Sequence, residues 1–230
     1  MISLTSNSSR AFAATVTLAI LFGCGSPPAS TPAADAPAPR SALSSMLGRP
    51  LLIMPTQYLA VATPGGQYEI SMGSRDLLPL VDEELADAFR KRGVRSSWTF
   101  AKEITESALR NGGLIQDPRD LASESLRRIE VGDTPLPEPL GSQIRNITAL
   151  QDGRYVLIPV EVDVDQRPGH PPGILRLILV DSRTARVTWV DHIEIPPFTD
   201  LPSADLLSGY GFRRLARALA TRFADRVVAQ

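Results

Sequence analysis

Apolar residues recur along this chain with two periods, and the switches between them set out its elements. Pro50 to Pro55 is a short apolar run ended by proline; Tyr58 to Ala62 follows, then the turn signal Pro64-Gly65-Gly66, then Gln67 to Met72. Runs of this kind, punctuated by Pro and Gly, predict strands joined by a turn. From Leu77 the period changes, with Leu77, Leu78, Val81, Leu85, Ala88 and Phe89 spaced by three and four. Asp76 ahead as N-cap, and Arg90, Lys91, Arg92 and Gly93 behind, complete the signature of an amphipathic helix.

Further on, Ser96 to Phe100 reads as a strand, and Glu103 to Gly113 as a short helix closed by glycine. Asp117 with Pro118 at the first helical position predicts another helix through Ile129. Between Val131 and Gly141 three prolines in five residues remove donors and fix φ, so that stretch is a surface connection leading into a helix from about Pro139 to Leu150. Arg154–Asp165, Gly173–Ser182 and Arg186–Ile195 are β-rich runs separated by turn residues, most simply three consecutive antiparallel strands. The chain closes on a helix whose apolar side carries Leu206, Leu207, Leu215, Leu219, Phe223 and Val227, with Gly209 to Gly211 marking a bend at its start. The fold class expected from this order is α+β, a mostly antiparallel sheet with helices packed on one face.

The amino-terminal part carries a different signal. Arg10 precedes an apolar run from Ala11 to Phe22, which is shorter than the roughly 20 residues a membrane-spanning helix needs and reads as a cleaved leader. Cys24, the only cysteine, stands directly behind it, and Gly25 to Ser41 is built of Pro, Ala, Ser and Thr with almost nothing large and apolar. Such a segment cannot bury enough surface to offset its ordering entropy, so it reads as a tether. The expected organisation is a signal peptide over 1–23, Cys24 with its tether over 24–41, and a single domain over 42–230.

That domain holds 22 basic and 24 acidic residues, which gives no reason to expect a nucleic-acid partner. Few patterns suggest chemistry. Glu161, Asp163 and Asp165 alternate with valines on one strand face, a half-exposed strand or else a set of oxygens for a hard cation. Asp191 and His192 are neighbours, and with Ser182 or Ser142 would be the parts of a hydrolytic triad. Strand neighbours point to opposite faces, however, and neither Gly-x-Ser-x-Gly nor His-Glu-x-x-His occurs. No cofactor fingerprint is present, so neither a cofactor nor a metal is expected. Trp98 and Trp189 read as packing residues. On the last helix Arg213, Arg214, Arg217, Arg222 and Arg226 form a polar stripe, suited to a solvated face or to contact with an acidic partner or anionic headgroups.

Two resemblances add to this reading. Leu21-Phe22-Gly23-Cys24 resembles the lipobox of bacterial lipoproteins, with Leu21 and Gly23 at the cleavage motif and Cys24 as the acylated residue. It implies acyl chains such as palmitate and a covalent lipid anchor. Gly25 in the next position implies the outer membrane, with the domain facing the periplasm. The order of elements from about 50 to 229 resembles the periplasmic lipoproteins that share the fold of the Tol translocation protein amino-terminal domain. The curli secretion lipoprotein and the penicillin-binding-protein activator lipoproteins belong to the same group. Asp181, Thr184 and Trp189 match that group's Asp-x-x-Thr-Gly-x-x-x-Trp hairpin, with Ala185 where glycine is usual. The resemblance implies a non-enzymatic accessory or assembly module that binds another envelope protein; the alternative is a lipid or small-ligand carrier auxiliary to an envelope transporter, which needs an apolar cavity between sheet and helices.

Overall fold

A computed structural model of the chain describes residues 43–71, 76–94, 97–112 and 115–228. The expected leader with Leu21 and Gly23, the lipidation residue Cys24 and the tether lie outside the described residues. Among the described residues the elements run β1 (Leu51–Ile53), β2 (Tyr58–Ala62), β3 (Tyr68–Ser71), α1 (Leu78–Lys91), β4 (Trp98–Thr99), α2 (Ala101–Arg110), β5 (Thr134–Pro135), α3 (Leu140–Leu150), β6 (Tyr155–Asp165), β7 (Gly173–Asp181), β8 (Arg186–Glu194) and α4 (Gly209–Val228).

All eight strands join one sheet, ordered β3-β2-β6-β7-β8-β5, with β1 between β4 and β6. The expected antiparallel run β6-β7-β8 is present, in registers Tyr155↔Asp181 and Leu179↔Trp189. The sheet as a whole is nevertheless mixed rather than mostly antiparallel, because β1 and β2 both lie parallel to β6. They occupy successive halves of the same β6 edge, and the interruption at Pro55 falls where β6 has its irregularity between Pro159 and Glu161. A parallel return needs a long crossover, and the chain between β2 and β6 supplies it with α1, α2 and α3.

The helices cover both faces of the sheet, not one. On one face α1 and α4 pack Val81, Leu85, Phe89, Leu215, Leu219 and Phe223 against Leu157, Leu175, Leu177 and Leu179. On the other, Ile104 of α2 and Leu140, Ile144 and Ile147 of α3 meet Val156, Ile158, Ile178 and Val180. A strand covered on both sides has no polar alternation, which is why β6 begins as the unbroken apolar run Tyr155 to Val160. Phe89 is the hub of the first face, its ring centroid 4.8 Å from that of Trp98 and 5.2 Å from that of Phe223.

Several local expectations change for physical reasons. Helix α1 starts after Leu77 with Pro79 in its first turn, and Asp76 makes no capping bond. At its other end Gly93 does act as the stop: with φ at 84° it lets Val94 N–H reach back to Phe89 O at 3.1 Å. Residues 117–129 do not form an α-helix. Leu121 N–H goes to Gln57 Oε1, Ala122 N–H to Gln143 Oε1, and Pro118 O to Gln57 Nε2, so tertiary side chains take the backbone groups a helix would pair internally. Only a 3-10 stretch, Glu124–Arg128, remains. Gly209 to Gly211 is no bend but the first turn of α4. Gly211 N–H is capped by Ser208 Oγ at 3.0 Å, and a Cβ on Gly211 would stand 2.0 Å from Asp205 O.

The β7–β8 turn explains the hairpin motif. Asp181 Oδ1 accepts Arg183 N–H at 3.0 Å, Thr184 Oγ1 donates to Asp181 O at 3.4 Å, and Ala185 takes φ 50°, the conformation for which glycine is usual. Ala185→Gly is therefore expected to stabilise the chain by about 1 kcal/mol, the left-handed penalty on an L-residue less glycine's extra unfolded freedom. Thermal unfolding checks this, with a midpoint gain of about 2–4 °C expected; an unchanged or lower midpoint would show the turn to be unstrained.

Candidate functional site

The arginine stripe on α4 is largely committed within the molecule. Glu84 on α1 is buried, and Arg217 grips its two oxygens at 3.0 Å each while Arg213 reaches it at 3.4 Å and Glu83 at 3.2 Å. Burial alone would raise the Glu84 carboxyl, but the Arg217 hydrogen bonds and the two guanidinium charges hold it below the usual range. Arg214 pairs with Asp200 at 2.6 Å and lies over the Phe198 ring; Arg226 pairs with Asp191 at 2.7 Å. Arg222 alone of the five has no carboxylate partner among the described residues.

Arg222 stands beside an open groove of about 610 Å³ between α4 and the segment after β8. Ile195, Pro196, Pro197 and Phe198 line one side, and Ala218, Arg214 and Arg217 the other, with Asp200 and Asp225, paired to Arg214 and Arg92, also on its lining. The arginine that is free of internal pairing thus borders the apolar concavity. Sequence spacing placed all five arginines on the polar side; it could not separate them, because Glu84, Asp191 and Asp200 come from distant elements.

A second concavity, a cleft of about 480 Å³ between α1 and α2, has Asp82 at its base. Asp82 Oδ1 accepts from Thr56 N–H at 2.8 Å and Thr56 Oγ1 at 2.7 Å, and Arg119 Nη1 stands 2.9 Å from Oδ2. Burial pushes this carboxyl up to about 6, against the pull of Arg119 and the Thr56 bonds. The neighbouring Gln57 donates to Pro55 O and Pro118 O and accepts from Leu121 N–H, so it ties the loop at 118–121 to the sheet. Nothing in the sequence marked Asp82, since on α1 it reads as an ordinary polar position among apolar ones.

The three alternating carboxylates of β6 do share a face, but they are dispersed among cations. Glu161 pairs with Arg127 and Asp165 with Arg167. Asp163 between them has an oxygen, Oδ1, with no hydrogen-bond partner among the described residues. Burial, with Glu161 and Asp165 adding to it, raises the Asp163 carboxyl to about 6. Among the described residues no group of three or more His, Cys, Asp or Glu is placed to hold a metal ion.

The parts of a hydrolytic triad are drawn apart by their partners. His192 Nε2 lies 2.7 Å from Arg176 Nη1, which can only donate, so that nitrogen accepts. Asp191 turns to Arg226 and to the His192 backbone N–H. Ser182 Oγ donates to Arg154 O at 2.8 Å. Asp181 is gripped by Arg154 through Nε and Nη2 at 2.6–3.2 Å, which keeps its carboxyl below the usual range. Trp189 packs, half-buried, against the α1/α4 core, and Trp98 is buried, its Nε1 donating to Met46 O.

Comparison with known proteins gives no matching family model and no matching curated protein. Among solved structures, the chain is similar to the LpoB C-terminal domain from Salmonella enterica at 13% identity, covering 67% of this chain and 93% of that one with a TM-score of 0.36. It is similar to the NMR structure of Escherichia coli LpoB at 15% identity, covering 84% and 89%, with a TM-score of 0.35. The lipoprotein GNA1162 from Neisseria meningitidis gives 13% identity, 74% and 97% coverage, and a TM-score of 0.31.

Proposed function

We propose that this chain is a lipid-anchored, periplasm-facing accessory module that docks, without catalysis of its own, onto another protein of the cell envelope, with the outer membrane as its site of attachment. The observation that carries this reading is the position of Cys24. It is the only cysteine, and it sits between an apolar leader and a tether rich in Pro and Ala, ahead of an α+β domain. A lone cysteine has no internal disulfide to form, whereas acylation at this point gives the leader, the cysteine and the tether one purpose. Extended at about 3.1 Å per residue, the tether's 17 residues would let the domain work roughly 50 Å from its membrane. Within the domain, the groove beside Arg222 supports protein contact. Its apolar walls and unpaired guanidinium fit a partner segment that carries apolar side chains and a carboxylate. No helix of the described residues is long and apolar enough to cross a membrane.

Fractionation of cells expressing the native chain and Cys24→Ala tests the anchor. The native chain is expected in the membrane fraction, with a mass increased by acyl chains, and the variant in the soluble fraction. Identical fractionation of the two would remove the lipoprotein reading. A photo-crosslinker at position 222, compared with one at exposed Arg110, tests the groove. An adduct of defined mass from 222 alone, lost when Ala218→Glu closes the groove, is expected; equal adducts from both sites would assign the contact elsewhere.

A further inference from the structure

Three strand ends meet at one corner of the sheet. The parallel register Leu51↔Tyr155 sets the residues before β1 beside those before β6, and the antiparallel register Tyr155↔Asp181 sets the residues after β7 beside both. Arg49, Arg154 and Arg183, far apart in the chain, thereby line one open concavity of about 460 Å³. Arg154 is held in place: Asp181 takes its Nε and Nη2, and its guanidinium carbon lies 4.9 Å from the Tyr155 ring centroid. Its Nη1 has no hydrogen-bond partner among the described residues, so one donor pair of an oriented fork is left over. Arg49 and Arg183 are exposed, and neither forms an ion pair among the described residues. Most arginines among the described residues, on α4 and elsewhere, do have a carboxylate partner, so two unpaired guanidinia beside a third, oriented one set this corner apart. Two carboxylates oppose these three guanidinia: Asp181, taken up by Arg154, and the exposed Asp152 on the rim.

We propose that this corner is a binding site for a phosphate group. A guanidinium offers planar, paired donors that match oxyanions two oxygens at a time. Three such groups arriving from three strand ends exceed what one carboxylate can accept, and suit a tetrahedral anion with several acceptor oxygens. The concavity is larger than a phosphate alone, and the Tyr155 ring provides an apolar wall for whatever the phosphate is esterified to. A soluble phosphate ester and the headgroup of an anionic phospholipid present the same chemistry. The inference stands on the corner's own geometry and not on the lipid anchor or the α4 groove.

The test uses the full chain in neutral maltoside micelles, titrated in separate arms with inorganic phosphate, with sn-glycerol 3-phosphate and with phosphatidylglycerol nanodiscs against phosphatidylcholine nanodiscs. Saturable binding that weakens with salt is expected. Arg49→Gln and Arg183→Gln, both at exposed positions, are each expected to weaken it about tenfold or more, while Arg110→Gln leaves it unchanged. Unchanged thermal midpoints in these variants exclude unfolding as the cause. Tight binding to phosphatidylglycerol alone identifies a lipid headgroup as the source, and tight binding of glycerol phosphate a soluble ester; both support the site. Absence of saturable binding in every arm, or equal losses from Arg110→Gln, would overturn it.

Discussion

Phe89→Ala is expected to destabilise the domain by about 3–5 kcal/mol, the range for removing a large aromatic side chain from a packed core. Phe89 is 0% exposed, and its ring touches both Trp98 and Phe223, so one side chain joins α1, the short β4 and α4. The void cannot close by small shifts. Helix α4 is tied to α1 by guanidinium–carboxylate pairs, Arg217 and Arg213 with Glu84 and Arg92 with Asp225 at 2.6 Å. The alanines of the same core, Ala86, Ala88, Ala220 and Ala224, also have no side chain long enough to refill it. Urea unfolding measures the effect, with Leu109→Ala as control: Leu109 is 75% exposed on α2, and its truncation is expected to change stability by less than about 0.5 kcal/mol. A loss below about 1.5 kcal/mol for Phe89→Ala would mean that α4 moves onto α1 despite those pairs.

Elements whose pattern is local were legible in the sequence, and elements whose state depends on partners were not. The β6-β7-β8 meander and helices α1, α2, α3 and α4 follow from periods of two and of three to four, and from Gly93 as a helix stop. The segment 117–129 carries a helix signature too, yet its backbone donors are taken by Gln57 and Gln143 from elsewhere in the chain. Helix cover on both sheet faces, where one covered face was expected, has its mark in the unbroken apolar run of β6, in which alternation begins only after Val160. The parallel pairing of β1 and β2 with β6 has no local mark at all, because strand direction is set by the crossover. The same division holds for the functional surface. Spacing put five arginines on one side of α4, whereas only the fold distinguishes Arg222 from the four that meet carboxylates of distant elements. Arg49, Arg154 and Arg183 were invisible as a group, since what unites them is the register of three strands.

The pH dependence of stability is expected to carry the mark of Asp82. In the folded chain its carboxyl sits at about 6 against an ordinary 3.8, chiefly because burial penalises its charged form. Between about pH 4 and 6 the folded chain therefore binds more protons at this site than the unfolded chain, and the free energy of unfolding falls as pH rises. The contribution is fully present below about pH 4 and lost as pH passes through about 6, and the whole shift corresponds to about 3 kcal/mol. Asp163, also raised to about 6, acts in the same window and direction, more weakly because it is partly exposed. Asp82→Asn keeps an oxygen for the two Thr56 donors and cannot ionise, so its stability is expected to change less between pH 4 and 7 than that of the native chain. At pH 7 it should be at least as stable, because Arg119, 30% exposed, can turn to water once the charge is gone. Asp82→Ala separates charge from hydrogen bonding. It abolishes the same pH slope but leaves Thr56 N–H and Oγ1–H buried without an acceptor, at a cost of about 1–3 kcal/mol at every pH. Urea unfolding at pH 4, 5, 6 and 7 distinguishes these results. If the native chain and Asp82→Asn keep parallel profiles, Arg119 and Thr56 outweigh burial, and the Asp82–Arg119 pair is an ordinary ion pair that fastens the loop at 118–121 to α1 at neutral pH.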